Sequence, residues 1–195
     1  LSPVISIEQK TTNKNPRSTV GTTTEIYDFL RLLFARAGEA FSYETGEKMV
    51  KYSEEQILNL IETDYADEGI IILAPVVKAR KGHYKELFEQ IRIKGGHNVR
   101  VDGEIRQIVL GMKVDRYKNH NIEIEVDKLM VHAKDAHRIR ESVRLAMKLG
   151  EGEVMIVRRG ENEVRHFSRH LMCPTSGISY AEPAPHNFSF NSPHG

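Results

Sequence analysis

Apolar residues recur along the chain in two periods, and the switches between those periods mark its elements. Ile26, Phe29, Leu30, Leu33, Phe34 and Ala37 return at helical spacing, which predicts an amphipathic helix with one face buried. Thr22 with Glu25 three positions later is a capping box that would fix its start. A linker from about Gly38 to Lys51 follows, with Gly46 as its turn. Ser53 and Gln56 form a second capping box and open a helix through Ile57, Leu58, Leu60 and Ile61. Ile70 to Val77 is a continuous apolar run rich in β-branched residues, the pattern of a strand buried on both faces and central in its sheet. Tyr84, Leu87, Phe88 and Ile91 give a further helix, stopped at Gly95 and Gly96.

The second half alternates more tightly. Val99 to Val101 and Ile105 to Ile108 flank Asp102 and Gly103, a pair suited to the positive φ values of a hairpin turn. Ile122, Ile124 and Val126 alternate with Glu123, Glu125 and Asp127, so one face of that strand is apolar and the other acidic. Leu129 and Val131 fall on the opposite parity, which predicts a bulge near Asp127 and Lys128. Asp135 is placed to cap a helix carrying Ile139, Val143, Ala146 and Met147, and Gly150 ends it. Val154 to Val157 and Val164 to Phe167, joined through Gly160 to Asn162, read as a last hairpin. The order implies an α+β (or α/β) fold, a mixed sheet with helices packed on it. From about Cys173 the prolines at 174, 183, 185 and 193 favour extended loop.

With 195 residues there is room for one sizeable domain, alone or with extensions. Lys and Arg total 28 against 27 for Asp and Glu, so a net charge of +1 supplies no global field for gathering a polyanion. Nothing approaches the run of about 20 apolar residues that spans a bilayer, and no charged-then-apolar leader opens the chain, so a cytoplasmic location without membrane contact is expected. A lone cysteine, Cys173, excludes an internal disulfide and agrees with a reducing compartment. The chain opens on Leu1 and closes in loop-like residues, as expected of a piece of a longer protein.

Candidate chemistry is sparse. A phosphate loop needs a glycine-rich run ending in Lys and Ser or Thr, and Lys94-Gly95-Gly96 lacks both spacing and hydroxyl. No nucleophile, base and acid stand in a recognisable set, so no catalytic residue is assigned. His166 and His170 lie four apart after a strand, where that spacing does not converge on one ion, and no metal site is assigned. Basic residues remain. Arg140, Arg144 and Lys148 share one helix face and are the candidates for direct DNA contact. Arg100, Asp102, Glu104, Arg106, Asp127 and Lys128 offer both signs of charge on the first hairpin and the long strand, a mixture that favours specific protein docking.

Three segments are more specific than any of this: SIEQKTT from Ser6, NPRSTVGT from Asn15 running into TEIYDFLRLLFAR, and FSFNSP from Phe188. Together with LAPVVKARKGHYKELFEQIRIKG, NVRVDGEI and HNIEIEVDKLMV in the middle, they make the whole chain resemble the UvrA family of nucleotide excision repair. The resemblance implies that residues 1–46 hold the Q-loop segment of an ATPase and signature domain, with Gln9 reaching toward magnesium and the attacking water at an ATP site. It implies that 52–169 form the domain that docks UvrB, with the six mixed charges above on the partner-facing surface, and that 170–195 return into the signature domain. The family's Walker and signature sequences are absent from these residues, so the chain by itself is not expected to hydrolyse ATP. ATP with magnesium, zinc, damaged double-stranded DNA and a UvrA homodimer belong to the intact protein. In the family, the segment matching Leu171 onward begins with C-x2-C and continues through FSFNSP to a second such pair around a structural zinc. Here Ser176 stands in place of the second cysteine. One thiolate is too few for a closed zinc site, which puts that zinc module in doubt for this chain.

Overall fold

The structure, a computed structural model, describes residues 19–180 and 182–190. Gln9, Pro16 and Arg17 lie outside the described residues. The chain divides into two units, the described parts of Leu1–Glu39 with Glu182–Gly195, and of Ala40–Ala181.

In the first unit a short turn of helix, α1 (Val20–Thr23), precedes α2 (Ile26–Ala37). The capping box is one turn earlier than expected: Thr19 caps α1 and exchanges hydrogen bonds with Thr22, whereas Glu25 sits in the left-handed region at φ 60° with no capping bond. Thr22 serves as the third residue of α1, so it is not available to cap α2. The second correction concerns burial. No residue of α2 is buried, and Phe29 is 70% exposed. Among the described residues of this unit, α2 meets the short turn Pro185–Phe188, where the Tyr27 hydroxyl donates to the Phe188 carbonyl and Arg31 Nε to the Pro185 carbonyl at 3.0 Å. Tyr27 also stacks on Phe190 with ring centres 4.8 Å apart. Phe34 of the apolar face is tilted against Phe188 with ring centres 6.0 Å apart, while Ile26, Phe29 and Leu33 of that face stay exposed.

The second unit is built on β1 (Gly69–Lys81), β2 (Asn98–Val101), β3 (Glu104–Gln107), β4 (Asn119–Met130), β5 (Glu153–Arg158) and β6 (Val164–Ser168). They form one sheet in the order β3-β2-β4-β1-β5-β6, so the run at Ile70–Val77 is central as its composition requires. Every neighbouring pair is antiparallel, where a mixed sheet was expected, and this decides for α+β. The reason lies in the crossovers. The helical connections β1 to β2 and β4 to β5 each skip one strand, so the strands they link run parallel with an antiparallel strand between them.

Helices α3 (Glu54–Asp64), α4 (Lys85–Ile93) and α5 (Ala136–Leu149) cover one face of this sheet. Ser53 and Gln56 complete the expected capping box of α3 at 2.8 and 3.2 Å. Asp135 makes no side-chain cap, because a turn of 3-10 helix at Ala133–Asp135 carries the chain into α5 instead. Ile57 and Ile61 of α3, with Ile139, Val143 and Met147 of α5, meet Ile70, Ile72 and Ile156 of the sheet in the larger core. Each such side chain, fully buried, contributes about 1.5–3 kcal/mol. Phe88 and Ile91 of α4 close a second cluster with Val99, Val101 and Ile122. On the other face Ile71, Leu73, Met155 and Val157 are buried with Val164 against them. The bulge falls where parity predicted it: Ile72 pairs with Asp127 and Leu73 with Glu125, leaving Val126 as the extra residue. A small ribbon of β7 (Leu171–Met172) and β8 (Ser179–Tyr180) replaces part of the loop expected after Cys173.

Candidate docking surface

The β2–β3 hairpin ends the sheet, and all four residues of β3 are exposed. An exposed edge strand presents unpaired backbone donors and acceptors, the usual starting point for recognition by another chain. Its turn is built as read: Asp102 and Gly103 both have positive φ, 51° and 93°, as a two-residue hairpin demands. Asp102 also anchors that turn. One carboxylate oxygen accepts the Asn121 N–H at 2.8 Å, and the other lies 2.6 Å from His120 Nδ1, whose Nε2 is 2.7 Å from the Asp115 carbonyl. His120 therefore ties the hairpin tip to the loop that follows β3. Around this frame Ile105, Val109, Leu110 and Tyr117 are exposed, Leu110 by 78%.

The hydrogen bond that the His120 ring donates to the Asp102 carboxylate raises the His120 pKa above 6.5, against the effect of burial. Burial pushes Asp102 upward, but its bonds to His120 and the Asn121 N–H outweigh that and hold it below 3.8. The sign follows from the folded and unfolded values. The His120 contribution is fully present below pH 6.5 and is lost as pH rises through the elevated folded value, whereas that of Asp102 is lost only in acid. Thermal midpoints measured against pH should therefore fall on the alkaline side of 6.5 in the natural chain, and His120→Asn should flatten that fall. Parallel profiles for the two proteins would contradict this role of His120.

The six residues expected to meet a partner are not equivalent in space. Glu104 and Arg106 are exposed and pair with each other at 2.7 Å. Lys128 is exposed at the far end of β4, opposite Ile71. Arg100 is only 13% exposed and faces Glu123 across the strands at 3.4 Å, with Glu123 5% exposed. Asp127 is turned toward α5 by the bulge and accepts two bonds from Arg138, at 2.7 and 3.0 Å, and one from Ser142 at 2.7 Å. Burial would raise Asp127, and these donors with the Lys128 N–H hold it low instead. Asp102 belongs to the turn itself. On the helix stripe, Arg144 is engaged by Glu54 at 2.7 Å and Glu141 at 3.3 Å, while Arg140 and Lys148 are exposed beside it. Sequence reasoning passed over the exposed Val109 and Leu110; two adjacent apolar residues after an edge strand were the available signal.

A family model described as the UvrA interaction domain matches residues 53–160, from the cap of α3 to the turn after β5. The chain is 49% identical over 199 residues to the UvrABC system protein A of Methanothermobacter thermautotrophicus and 45% identical over 195 residues to that of Bacillus subtilis. It is 43% identical over 197 residues to that of Thermus thermophilus. Each similarity takes in 100% of this chain and 20 or 21% of the relative, so the chain spans about a fifth of the length of these relatives. With the six-stranded fold, the exposed edge hairpin and these matches together, the chain belongs to the UvrA interaction-domain family.

Proposed function

We propose that this chain is the docking domain through which a UvrA protein engages UvrB in nucleotide excision repair, and that the β2–β3 edge with the loop after it is the contact surface. The observation that carries this reading is the concentration of exposed Ile105, Val109 and Leu110 beside the exposed pair Glu104 and Arg106, on a hairpin anchored from behind by Asp102 and His120. Apolar anchors ringed by charges are the composition of a specific protein interface, the anchors giving affinity and the charges orientation and rate. Lys128 extends the charged rim along β4. The curated relatives are named as part of a UvrABC system, and that name supports UvrB as the partner. Chemistry is assigned to the intact protein: ATP and magnesium would act there, with Gln9 sensing the nucleotide state, as would damaged DNA and a second UvrA copy. No helix among the described residues is long and apolar enough to cross a membrane.

The test is binding of purified UvrB to the chain and to the variants Leu110→Asp, Arg106→Glu and Lys128→Glu. Leu110→Asp is expected to weaken binding by about 2 kcal/mol or more, the scale of a central apolar anchor, and each charge reversal by less, mostly through the association rate. All three side chains are exposed, so thermal midpoints should stay unchanged. Undiminished affinity in all three variants would remove this surface from the interface.

A further inference from the structure

At the base of the second unit, two turns 131 positions apart in the sequence are built alike. Ser42 and Cys173 each open one; Thr45 and Ser176 follow three positions on, and Gly46 and Gly177 come next at φ 71° and 69°. The amide of Thr45 donates to the Ser42 hydroxyl at 3.4 Å, and the amide of Ser176 to the Cys173 sulfur at 3.4 Å. Gly46 N–H bonds the Ser42 carbonyl at 2.9 Å, as Gly177 N–H bonds the Cys173 carbonyl at 3.0 Å. Ser42 N–H reaches the Glu47 carbonyl at 2.7 Å, and Cys173 N–H the Ile178 carbonyl at 2.9 Å. Phe41 bridges Lys48 as Met172 pairs with Ser179, and Val50 joins the two small hairpins to one another through Met172.

The four side chains of these turns converge. Thr45 Oγ1 lies 3.3 Å from the Cys173 sulfur, which accepts the Ser176 amide at 3.4 Å and donates to Glu47 Oε2 at 3.6 Å, with the Ser176 and Ser42 side chains near enough to lower its pKa. Cys173 is fully buried and Ser42 is 3% exposed. Glu47 spans both turns, accepting from Thr45 at 3.2 Å and from Thr175 at 3.0 Å. Two turns of spacing x-x2-x, each with an amide aimed at its first side chain and both sets of side chains meeting at one point, have the layout of a tetrahedral four-thiolate zinc site. The donors do not fit the zinc that the UvrA resemblance implies. Zinc is held by thiolate, imidazole or carboxylate, whereas this point offers one thiol and one carboxylate, that of Glu47 with Oε2 3.6 Å from the Cys173 sulfur, and hydroxyls where the other two ligands would stand. Among the described residues, no group of three or more His, Cys, Asp or Glu side chains could hold an ion.

We propose that the paired turns are the metal-free counterpart of a zinc cage, closing by hydrogen bonds among Ser42, Thr45, Cys173 and Ser176 the junction that paired C-x2-C turns close by zinc. The sequence points the search for the second half of such a site downstream of residue 195; the geometry supplies it upstream, at residues 42–46. The base of this domain then holds its shape without metal, and its stability does not depend on zinc supply. Hydrogen bonds from Ser176 and then Thr45 lower the Cys173 thiol to about 7, in keeping with a sulfur that accepts from its neighbours.

The test compares the natural chain with Ser42→Cys/Thr45→Cys/Ser176→Cys, both prepared with zinc and desalted. The natural chain is expected to retain no stoichiometric zinc and to keep its thermal midpoint in EDTA. The triple variant is expected to hold one zinc per chain, to give the spectrum of tetrahedral thiolate-bound cobalt when cobalt replaces zinc, and to lose midpoint in EDTA. One equivalent of zinc in the natural chain, with a midpoint that EDTA lowers, would overturn the proposal; so would a folded triple variant that takes up none. Cys173→Ser carries the question if the triple variant does not fold. That change completes a hydroxyl cage and should move the midpoint by less than about 4 °C, the shift for one weak hydrogen bond in a domain of this size. Loss of the cooperative transition in that variant would also overturn the proposal.

Discussion

Arg100→Ala is expected to remove about 3–5 kcal/mol of folding stability near neutral pH, because it leaves a buried carboxylate without its partner. Glu123 lies under the sheet face at 5% exposure, and Arg100 is the cation beside it. Burial already pushes the Glu123 pKa above 4.5 with Arg100 opposing the rise; without Arg100 only the upward push remains. A group raised in the folded state contributes stability that is complete below its unfolded value and is lost as pH rises through the folded one. The deficit of the variant should therefore be larger at about pH 8 than at about pH 5, where Glu123 can take up a proton. Denaturant unfolding at the two pH values checks this, and an equal deficit at both would contradict it. Replacing both partners together with apolar residues of similar volume should recover most of the loss, since neither charge then remains buried. Arg100 is consequently a poor site for probing partner contact: charge reversal there would place two carboxylates side by side and unfold the hairpin before any interface was tested.

The second large effect is expected at Phe88. Its ring is 1% exposed and sits between α4 and the strand residues Val99, Val101 and Ile122. Truncation to alanine removes the ring and opens a cavity that backbone hydrogen bonding on both sides prevents from collapsing, at about 3–5 kcal/mol. The consequence for function separates this residue from other core positions. Phe88 supports the underside of the β2–β3 hairpin, so Phe88→Ala should lower both the unfolding midpoint and the affinity for UvrB. Phe167→Ala, in the larger core against Tyr52 with ring centres 5.3 Å apart, should cost comparable stability and leave the affinity of the folded fraction unchanged. Equal affinity losses for the two would mean that the hairpin is not the contact element.

Local signals carried much of the fold. The uninterrupted apolar run of β1, the Asp102-Gly103 turn, the Ser53 cap and the parity switch that marks the Val126 bulge each depend on neighbours in sequence, and each is found in place. What was not legible depends on register or on segments far apart. Arg100 and Glu123 are 23 positions apart and meet only because β2 pairs with β4 in one register. The same register turns Arg100 from an exposed candidate into half of a buried pair. At α2 the expected cap Thr22 loses to Thr19, three positions earlier, which caps a short helix of its own and takes Thr22 up as its third residue. The paired turns at Ser42 and Cys173 were missed because serine and threonine carry no metal signal; the repeated spacing with glycine next in line was the only trace. Periodicity likewise predicted a buried face for α2, but it reports only that a face is apolar and not that the described residues cover it.

Direct titration of purified UvrB into this chain, with duplex DNA as a parallel titrant, tests the docking account most directly. Saturable binding of UvrB at micromolar concentration or tighter, abolished or strongly weakened by Leu110→Asp, and little binding to DNA is the predicted result. Indifference to UvrB, together with DNA binding that falls steeply with salt and disappears on neutralising Arg140 and Lys148, would contradict it and assign the function to the helix stripe instead.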